Sequence, residues 1–238
     1  MTIKIGITER GDAGLDFSWV DKLLPAGNIL ITKSINDVFI KLAVAHKENV
    51  IVHVTCTGFG ASILEPNVPN KLWTRLQVIK LIAAGFPVQQ IVLRIDPIIP
   101  TERGIETAKG ILSLFEDTGI RRVRYSFMDM YKHVKNRFED KSLPLPYEGF
   151  CAPKTMIDNA MLLFSRNSTK YDFEACAEAT IHKLGCVSQR DYDILGITEK
   201  AVVSGKQRMG CSCAEGKTEL LTRKTKCWHN CVYCYWRS

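Results

Sequence analysis

The stretch KLWTRLQVIKLIAAGFPVQQIVLRI (71–95) holds the pattern that decides the fold. Its first part has the length and apolar spacing of a helix over 71–84, and its last part is a short β-branched run over 90–95. Gly85 lies between the two, where a glycine can take the left-handed conformation that ends a helix. The stretch therefore predicts a helix followed by a buried strand.

The same alternation extends over most of the chain. It predicts strands at 3–7, 28–32, 50–54, 90–95, 123–127 and 171–175, and helices at 17–24, 36–46, 71–84, 104–118 and 155–165. Alternation of this kind is typical of a parallel sheet with helical crossovers. Six units predict an α/β fold, a partial (β/α)6 TIM-like barrel over 1–175. The pattern by itself also permits an open, doubly wound sheet.

Two later segments depart from this alternation. Residues 141–153 (KSLPLPYEGFCAP) are rich in proline and predict a long loop after the fifth strand. Regular helices are hard to place after residue 175, and most of the cysteines lie there. We expect residues 176–238 to form a cysteine-rich C-terminal extension that carries metal ligands and folds back on the barrel.

The composition is that of an ordinary globular domain. The chain has 238 residues, 46% hydrophobic and 24% charged, and no apolar stretch approaches the length of a membrane span. Its first residues resemble a strand and not a signal peptide, so we expect a cytoplasmic protein without a membrane partner. Nine cysteines there favour metal or redox chemistry over disulfides. The net charge of +7 permits a nucleic-acid partner.

Three cysteines near the C-terminus, Cys227, Cys231 and Cys234, have the spacing C-x3-C-x2-C. Three thiolates on a short loop can hold three irons of a [4Fe–4S] cluster and leave the fourth iron open for a substrate. Cysteine and histidine at short spacing also form zinc sites, and Cys211, Cys213 and His229 lie nearby. The spacing alone leaves both alternatives open.

Longer stretches resemble known radical S-adenosylmethionine (SAM) enzymes. ILITKS (29–34), LEPNVPN (64–70) and the run ending in LRIDPIIP (93–100) are similar to the core of the spore-photoproduct-lyase-like branch. The whole chain also resembles an uncharacterised family whose cysteine motif lies at the C-terminus. QRMGCSC (207–213), CWHNCVYCY (227–235), VRYSFMDMY (123–131) and FEACAE (173–178) carry that resemblance, whereas GITERGDAG (6–14) matches only loosely.

The resemblance implies a radical SAM barrel whose cluster loop has moved to the end of the chain. The implied cofactors are a [4Fe–4S] cluster and SAM, which is cleaved reductively to methionine and a 5′-deoxyadenosyl radical. The implied partner is a low-potential electron donor of the flavodoxin or ferredoxin type. The implied substrate is a nucleic-acid base, for example a modified thymidine in DNA that is isomerised. The alternatives are a peptide or small-molecule substrate, and a non-catalytic zinc or Fe–S binding module.

Four further cysteines, Cys176, Cys186, Cys211 and Cys213, lie where that family has cysteine. The resemblance thus implies a second metal site, because four thiolates complete the ligand set of a closed [4Fe–4S] cluster or of a zinc ion. The alternative is that Cys176 and Cys186 are small buried residues, which is common for free cysteine.

Polar residues at the carboxyl ends of the strands are the remaining candidates, because parallel barrels carry their chemistry there. The resemblance implies that some of them bind SAM, with Tyr233 packed near the adenine; these residues are Thr32, Lys33, Ser34, Thr55, Thr57, Arg94 and Ser126. The candidates for catalysis are Cys56, as a hydrogen donor, with Tyr125 and Asp96. In the alternative interpretation the hydroxyls cap helices, Cys56 is buried in the core, and Arg94 neutralises Asp96.

Overall fold

The computed structural model describes residues 2–176, 178, 184–203, 211–221 and 227–236. Its seven strands form one parallel sheet in the order β6-β5-β4-β3-β2-β1-β7. The strands are β1 (Ile5–Ile7), β2 (Asn28–Thr32), β3 (Val50–Thr55), β4 (Ile91–Ile98), β5 (Arg122–Phe127), β6 (Asp172–Ala175) and β7 (Lys217–Glu219). The α-helices are α1 (Asp37–Ala45), α2 (Lys71–Ala83), α3 (Glu102–Phe115), α4 (Lys132–Asp140), α5 (Lys154–Arg166) and α6 (Gln189–Ile194).

The strand order confirms the predicted α/β class and excludes a doubly wound sheet. Strands β1 to β6 lie side by side in chain order, without the reversal that defines a doubly wound fold. The sheet is not closed, because β6 and β7 are its two edges and do not pair within the described residues. The short segment around Cys186 lies between these edges: Leu184 N–H donates to Ala175 O of β6 (3.2 Å), and Ala214 N–H, shortly before β7, donates to Val187 O (2.9 Å).

All six predicted strands are present, and four of the five predicted helices are α-helices. The exception is 17–24, where the structure has only a single 3-10 turn, Val20–Lys22. Trp19 is fully buried there and its indole N–H donates to Ala13 O (2.9 Å), so packing against the preceding loop determines this segment. The left-handed conformation expected at Gly85 is confirmed, with φ of 93°.

The sequence patterns missed α4, α6 and β7. Helix α4 has only two buried apolar residues, Val134 and Phe138, four positions apart in an otherwise polar segment. Strand β7 has the sequence KTE and pairs with β1 at the edge of the sheet, so it contains no apolar run to detect. The C-terminal extension thus contributes a strand to the same sheet.

The two faces of the sheet differ in what covers them. The outer face, which carries Leu30, Val52 and Leu93, packs against the buried sides of the helices in the main hydrophobic core. The inner face carries Ile7, Ile29 and other apolar residues of a smaller cluster, together with Cys176, Cys186 and Cys213. Successive side chains of a strand point to opposite faces, so each strand contributes to both layers.

No helix in the described part of the chain is long and apolar enough to cross a membrane.

Candidate functional site

The carboxyl ends of the strands meet the C-terminal cysteine loop at one pocket. Side chains that follow or end β1 to β6 line it together with the last described residues of the chain. The predicted site residues among its lining are Thr32, Lys33, Thr55, Arg94, Asp96, Ser126, Cys176, Cys227, Cys231, Tyr233 and Cys234. The structure therefore brings all three cysteines of the C-x3-C-x2-C motif to the polar edge of the sheet.

Hydrogen bonds to its backbone hold the cysteine loop, defined here as residues 227–236, against two other segments. Val232 N–H donates to Leu64 O (2.9 Å), and Asn67 Nδ2 donates to Trp228 O (2.7 Å), which ties the loop to the segment before α2. On the other side, Arg137 of α4 donates its guanidinium N–H groups to Val232 O and Cys234 O. The motif thus has a fixed place in the fold.

Burial affects the thiols of this loop. Cys231 is almost fully buried, and desolvation raises its pKa to about 12. Burial also raises the pKa of Cys227. Both side chains are therefore neutral thiols near pH 7 in the metal-free chain, and a bound metal would have to displace their protons.

A buried carboxylate lies beside the loop. Asp12 Oδ1 accepts hydrogen bonds from Gly14 N (2.8 Å) and Thr32 Oγ1 (2.6 Å), and Oδ2 accepts from Lys33 N (2.7 Å) and contacts His229 Nε2 (2.7 Å). Burial acts to raise the pKa of Asp12, but the hydrogen bond and charge of His229, with the bonds from Lys33 and Thr32, outweigh it and lower the pKa. Asp12 is thus an ionised anchor with four partners.

Gly14 allows that arrangement. A Cβ at this position would lie 1.9 Å from Ser34 O and 2.6 Å from Thr32 Oγ1, so no other residue fits without moving the end of β2. The close approach brings the turn at Asp12 against Thr32. Ser34 itself is engaged there through its backbone, since its N–H donates to Thr32 Oγ1 (2.8 Å).

A second buried carboxylate, Glu65, lies on the opposite side of the loop. It accepts hydrogen bonds from Lys33 Nζ, from the Tyr233 hydroxyl and from Thr57 Oγ1, the last at 2.7 Å. Burial acts to raise its pKa, but the Lys33 ammonium and these hydrogen bonds lower it. Lys33 Nζ also donates to the Tyr233 hydroxyl (3.0 Å). Lys33, Thr57 and Tyr233 thus form one network with Glu65.

Arg94, Asp96 and Ser126 form a third polar group in the pocket. Asp96 accepts hydrogen bonds from Arg94 Nη2 and from Ser126 Oγ. Arg94 Nε and Nη1 are buried and have no partner among the described residues. Nη2 neutralises Asp96, as in the alternative interpretation, while the other two guanidinium nitrogens have no hydrogen-bond partner among the described residues.

The four remaining predicted ligands lie together on the inner face of the sheet. Cys176 Sγ lies 3.1 Å from Cys186 Sγ, and Cys186 N–H donates to Cys213 Sγ (3.1 Å). A hydrogen bond from Cys213 lowers the pKa of Cys211 to about 6. Gly185 permits this approach, since a Cβ there would lie 2.3 Å from Cys213 N. Cys176 also lines the pocket.

Beneath this thiol cluster the inner face carries a buried ion network. Arg122 contacts Glu174 (2.8 Å) and Asp191 of α6 (2.6 Å), and Arg124 contacts Glu174 as well as Cys186 O (2.9 Å). Glu174 is therefore fully buried on the inner face of the sheet. Glu178 accepts a hydrogen bond from Phe127 N (2.8 Å).

Two predicted catalytic residues lie outside the pocket. Cys56 is buried in the main core on the outer face, and desolvation raises its pKa to about 12. Tyr125 lies in the same core against Phe164 and Phe173, and its hydroxyl contacts Met161 Sδ at 3.6 Å. The physical reason is strand parity, since Tyr125 follows Arg124 and precedes Ser126, both of which point inward.

The imidazole of His229 does not complete a zinc site. One ring nitrogen contacts Asp12, and the other lies 3.3 Å from Asn67 O, so neither nitrogen is available to a metal. The described residues contain no group of three or more His, Cys, Asp and Glu side chains that could hold a metal ion as they stand.

Sequence reasoning missed Asp12, Glu65 and the buried His53. Asp12 lies in segment 6–14 and Glu65 in segment 64–70, but nothing in their spacing indicates contact with a loop more than 150 residues away. His53 alternates with valines in β3, and this period was the available signal that it points away from the main core. Both of its ring nitrogens are buried without a partner among the described residues.

Comparison with protein families places most of the chain in one family. The family described as a domain of unknown function, DUF1848, matches residues 26–236, and the chain therefore belongs to it. Searches of curated proteins and of solved structures found no match.

Proposed function

We propose that this member of the DUF1848 family is a radical SAM enzyme that modifies a nucleic-acid base. One observation carries the proposal: Cys227, Cys231 and Cys234 line the same pocket as the polar carboxyl ends of β2 to β5. Three thiols of this spacing on a tethered loop suit a [4Fe–4S] cluster with one open iron. A single zinc ion would need a fourth ligand, and His229 is occupied by Asp12 and Asn67.

The chain's own residues would bind and orient SAM. When bound, the cluster and SAM supply a primary carbon radical that can abstract hydrogen from an unactivated C–H bond. Arg94 offers its two unpartnered N–H groups to a carboxylate. Ser126 holds Asp96 beside it, while Thr32 and Thr55 add polar groups to the pocket wall. Cys227, Cys231 and Cys234 hold the cluster.

For the fold we propose an open (β/α) barrel. Residues that follow or end β1 to β6 line a single pocket, which requires the sheet to curl around it. The sequential strand order supports this, and so does the Cys186 segment that bonds to both sheet edges. Such curvature places the reacting groups in a protected interior, where water is excluded from a carbon radical.

We also propose that Cys176, Cys186, Cys211 and Cys213 hold a second metal centre, either a closed [4Fe–4S] cluster or zinc. The contacts among their sulfurs and backbone bring the set together from three chain segments. Lys217 lies beside them, and the charges of Cys186 and Cys213 help to raise its pKa against desolvation. The Lys217 ammonium, which also pairs with Glu9 (2.6 Å), would favour an anionic thiolate centre.

Aromatic side chains at the pocket support a base as substrate. Tyr131 and Tyr235 are stacked with ring centroids 6.0 Å apart, and Trp236 packs on Tyr235 at 4.9 Å. The guanidinium of Arg10 lies 5.3 Å from the centre of the Trp236 ring. Aromatic faces with neighbouring cations are the groups on which proteins stack single-stranded bases. The net charge of +7 would favour binding of the phosphate backbone.

The decisive test is reductive SAM cleavage. Anaerobic reconstitution with iron and sulfide should give a brown protein, which forms 5′-deoxyadenosine from SAM with dithionite or a reduced flavodoxin. Joint replacement of Cys227, Cys231 and Cys234 by Ala should abolish this product. Cys151→Ala, which removes an exposed cysteine, is the matched control. A triple variant that still forms 5′-deoxyadenosine, or a colourless wild type that binds only zinc, would refute the assignment.

Iron and zinc analysis of that triple variant tests the second centre. We expect the triple variant to retain metal and to lose it when Cys186 and Cys213 are also replaced. A metal-free triple variant would contradict a second site.

The substrate class needs a separate measurement. DNA affinity should fall steeply with salt, and nucleoside mass analysis after turnover should show an altered base. No binding at low salt together with unchanged nucleosides would favour a peptide or small molecule.

A further inference from the structure

The cysteine motif carries one buried polar side chain in each of its two intervals. His229 lies between Cys227 and Cys231, and Tyr233 lies between Cys231 and Cys234. Both side chains are buried, and each is bonded to a carboxylate from a distant part of the chain. His229 contacts Asp12, in the turn after β1, and Tyr233 donates to Glu65, in the long connection between β3 and α2.

Protein groups supply four hydrogen-bond partners to the Asp12 carboxylate and three to the buried Glu65 carboxylate, against about four acceptor sites in each. A catalytic base or a metal ligand needs accessible oxygen lone pairs, whereas most of the acceptor sites of these buried carboxylates are taken by protein donors. Their occupancy therefore indicates a mechanical role.

The energetics favour the same conclusion. A buried carboxylate without its partners is costly, so each anchor keeps its loop residue in place as long as the chain is folded. Asp12 also holds Thr32 and the Lys33 backbone at the end of β2, while Glu65 holds the Lys33 ammonium. The loop is thereby fixed to the same strand end that lines the pocket.

We propose that Asp12 and Glu65 are positioning residues, which latch the cysteine loop through His229 and Tyr233 before any metal binds. The latches hold Cys231, which lies between them, in a buried position against the pocket. The thiols are thus gathered by the folded protein and are not recruited from a free tail by the metal. The latch contacts join protein groups alone, and their importance for cluster assembly rests on the proposed function.

Thiol labelling of the metal-free full-length chain tests the latch directly. Cys231 is 6% exposed, so iodoacetamide should modify it slowly in the wild type, as read by peptide mass spectrometry. Asp12→Asn and Glu65→Gln should each raise the labelling rate of Cys231 at least about tenfold. Cys186, buried on the inner face, serves as internal reference for both variants. Cys56 is next to Thr57, a partner of Glu65, and so serves as a reference only for Asp12→Asn. Asp158→Asn, at an exposed helix position, is the control variant.

A matched pair at His229 separates positioning from general destabilisation. His229→Gln keeps an N–H donor near the position of Nε2 and should label like the wild type, whereas His229→Leu should label like Asp12→Asn. Both variants remain informative if Asp12→Asn fails to fold. Unchanged Cys231 labelling in the Leu variant, or an equal rise at Cys56 and Cys186, would overturn the proposal.

Cluster assembly provides a second readout. After anaerobic reconstitution, His229→Leu should bind less iron than His229→Gln, and its electron paramagnetic resonance spectrum should not shift when SAM is added. If the wild type binds no iron, the proposed function fails while the labelling result still decides the latch. Equal iron content and equal spectral shifts in the two variants would show that the latch has no part in cluster assembly.

Discussion

The two faces of strands β3 to β5 differ in composition, although alternate residues of the same strands form them. The outer face is apolar, with Val52 and Val54 of β3 and Leu93 of β4 in the main core. The inner face carries Thr55, Arg94 and Arg124 side by side in the strand register, and Glu174 continues this row in β6. The main hydrophobic core therefore lies on one face, whereas the groups suited to chemistry lie on the other.

The difference shows what a polar interior requires. Apolar residues of the outer face are satisfied by any well-packed neighbour, so their pattern in the sequence is enough to place them. Inner-face charges need specific partners, which come from elsewhere in the chain, as Asp191 of α6 does for Arg122. We therefore expect substitutions on the two faces to impair the protein in different ways.

The largest effect is expected from the ion network of the inner face. Glu174→Ala would leave Arg122 and Arg124 buried without their shared carboxylate, and should lower the free energy of unfolding by about 3–5 kcal/mol. Urea denaturation measures this loss. Glu116→Ala, which removes a half-exposed partner of Lys170, should cost less than about 1 kcal/mol. Equal losses in the two variants would mean that the inner network contributes no more than a surface pair.

Substitutions of two adjacent residues of β4 should have different effects, one on the free energy of unfolding and the other on SAM binding. Leu93→Ala removes a fully buried side chain from the outer face and should cost about 2–5 kcal/mol. Arg94→Lys keeps a cation beside Asp96 but removes the unpartnered N–H groups, so it should weaken SAM binding by about tenfold or more. Calorimetric titration of the reconstituted proteins checks this. Unchanged SAM affinity in Arg94→Lys would remove Arg94 from the site.

His53 should make the free energy of unfolding depend on pH. Desolvation and the charges of Arg124, Arg94 and Arg122 hold its pKa well below the usual value, so the folded chain keeps it neutral. The unfolded chain binds a proton below about pH 6.5 and is favoured there by about 1.4 kcal/mol per pH unit. Stability is therefore lost as the pH falls from 6.5 to 5. The slope should be shallower in His53→Gln, and parallel slopes in the two proteins would contradict this role.

The smallest effect is expected at Tyr125. Its hydroxyl makes a weak contact with Met161 Sδ (3.6 Å), so Tyr125→Phe should change the free energy of unfolding by less than about 1 kcal/mol. Formation of 5′-deoxyadenosine should be unaffected. Ser126→Ala, one residue further along β5, removes a hydrogen bond to Asp96 and should slow it. Loss of activity in Tyr125→Phe would return this residue to the catalytic candidates.

Strand periodicity distinguishes the strand-end residues that face the pocket from those that face the main core. Cys56 and Tyr125 were grouped with Thr55 and Ser126 because all four lie at strand ends. Adjacent residues of a strand point to opposite faces, so in each pair only one side chain can face the pocket. The apolar residues of each strand determine which one it is, since Val54 and Val123 belong to the main core.

The sequence alone determined strands β1 to β6, helices α1, α2, α3 and α5, and the polar strand ends. It did so because apolar spacing follows from backbone geometry, which is local. Short spacing also singled out Cys227, Cys231 and Cys234 as candidate ligands, whereas the second cysteine set was implied by the family resemblance. The tertiary structure alone decided that Asp12 and Glu65 anchor the cysteine loop and that Glu174 pairs inside the sheet. Those contacts join residues between 50 and 217 positions apart, and only folding brings such partners within hydrogen-bond distance.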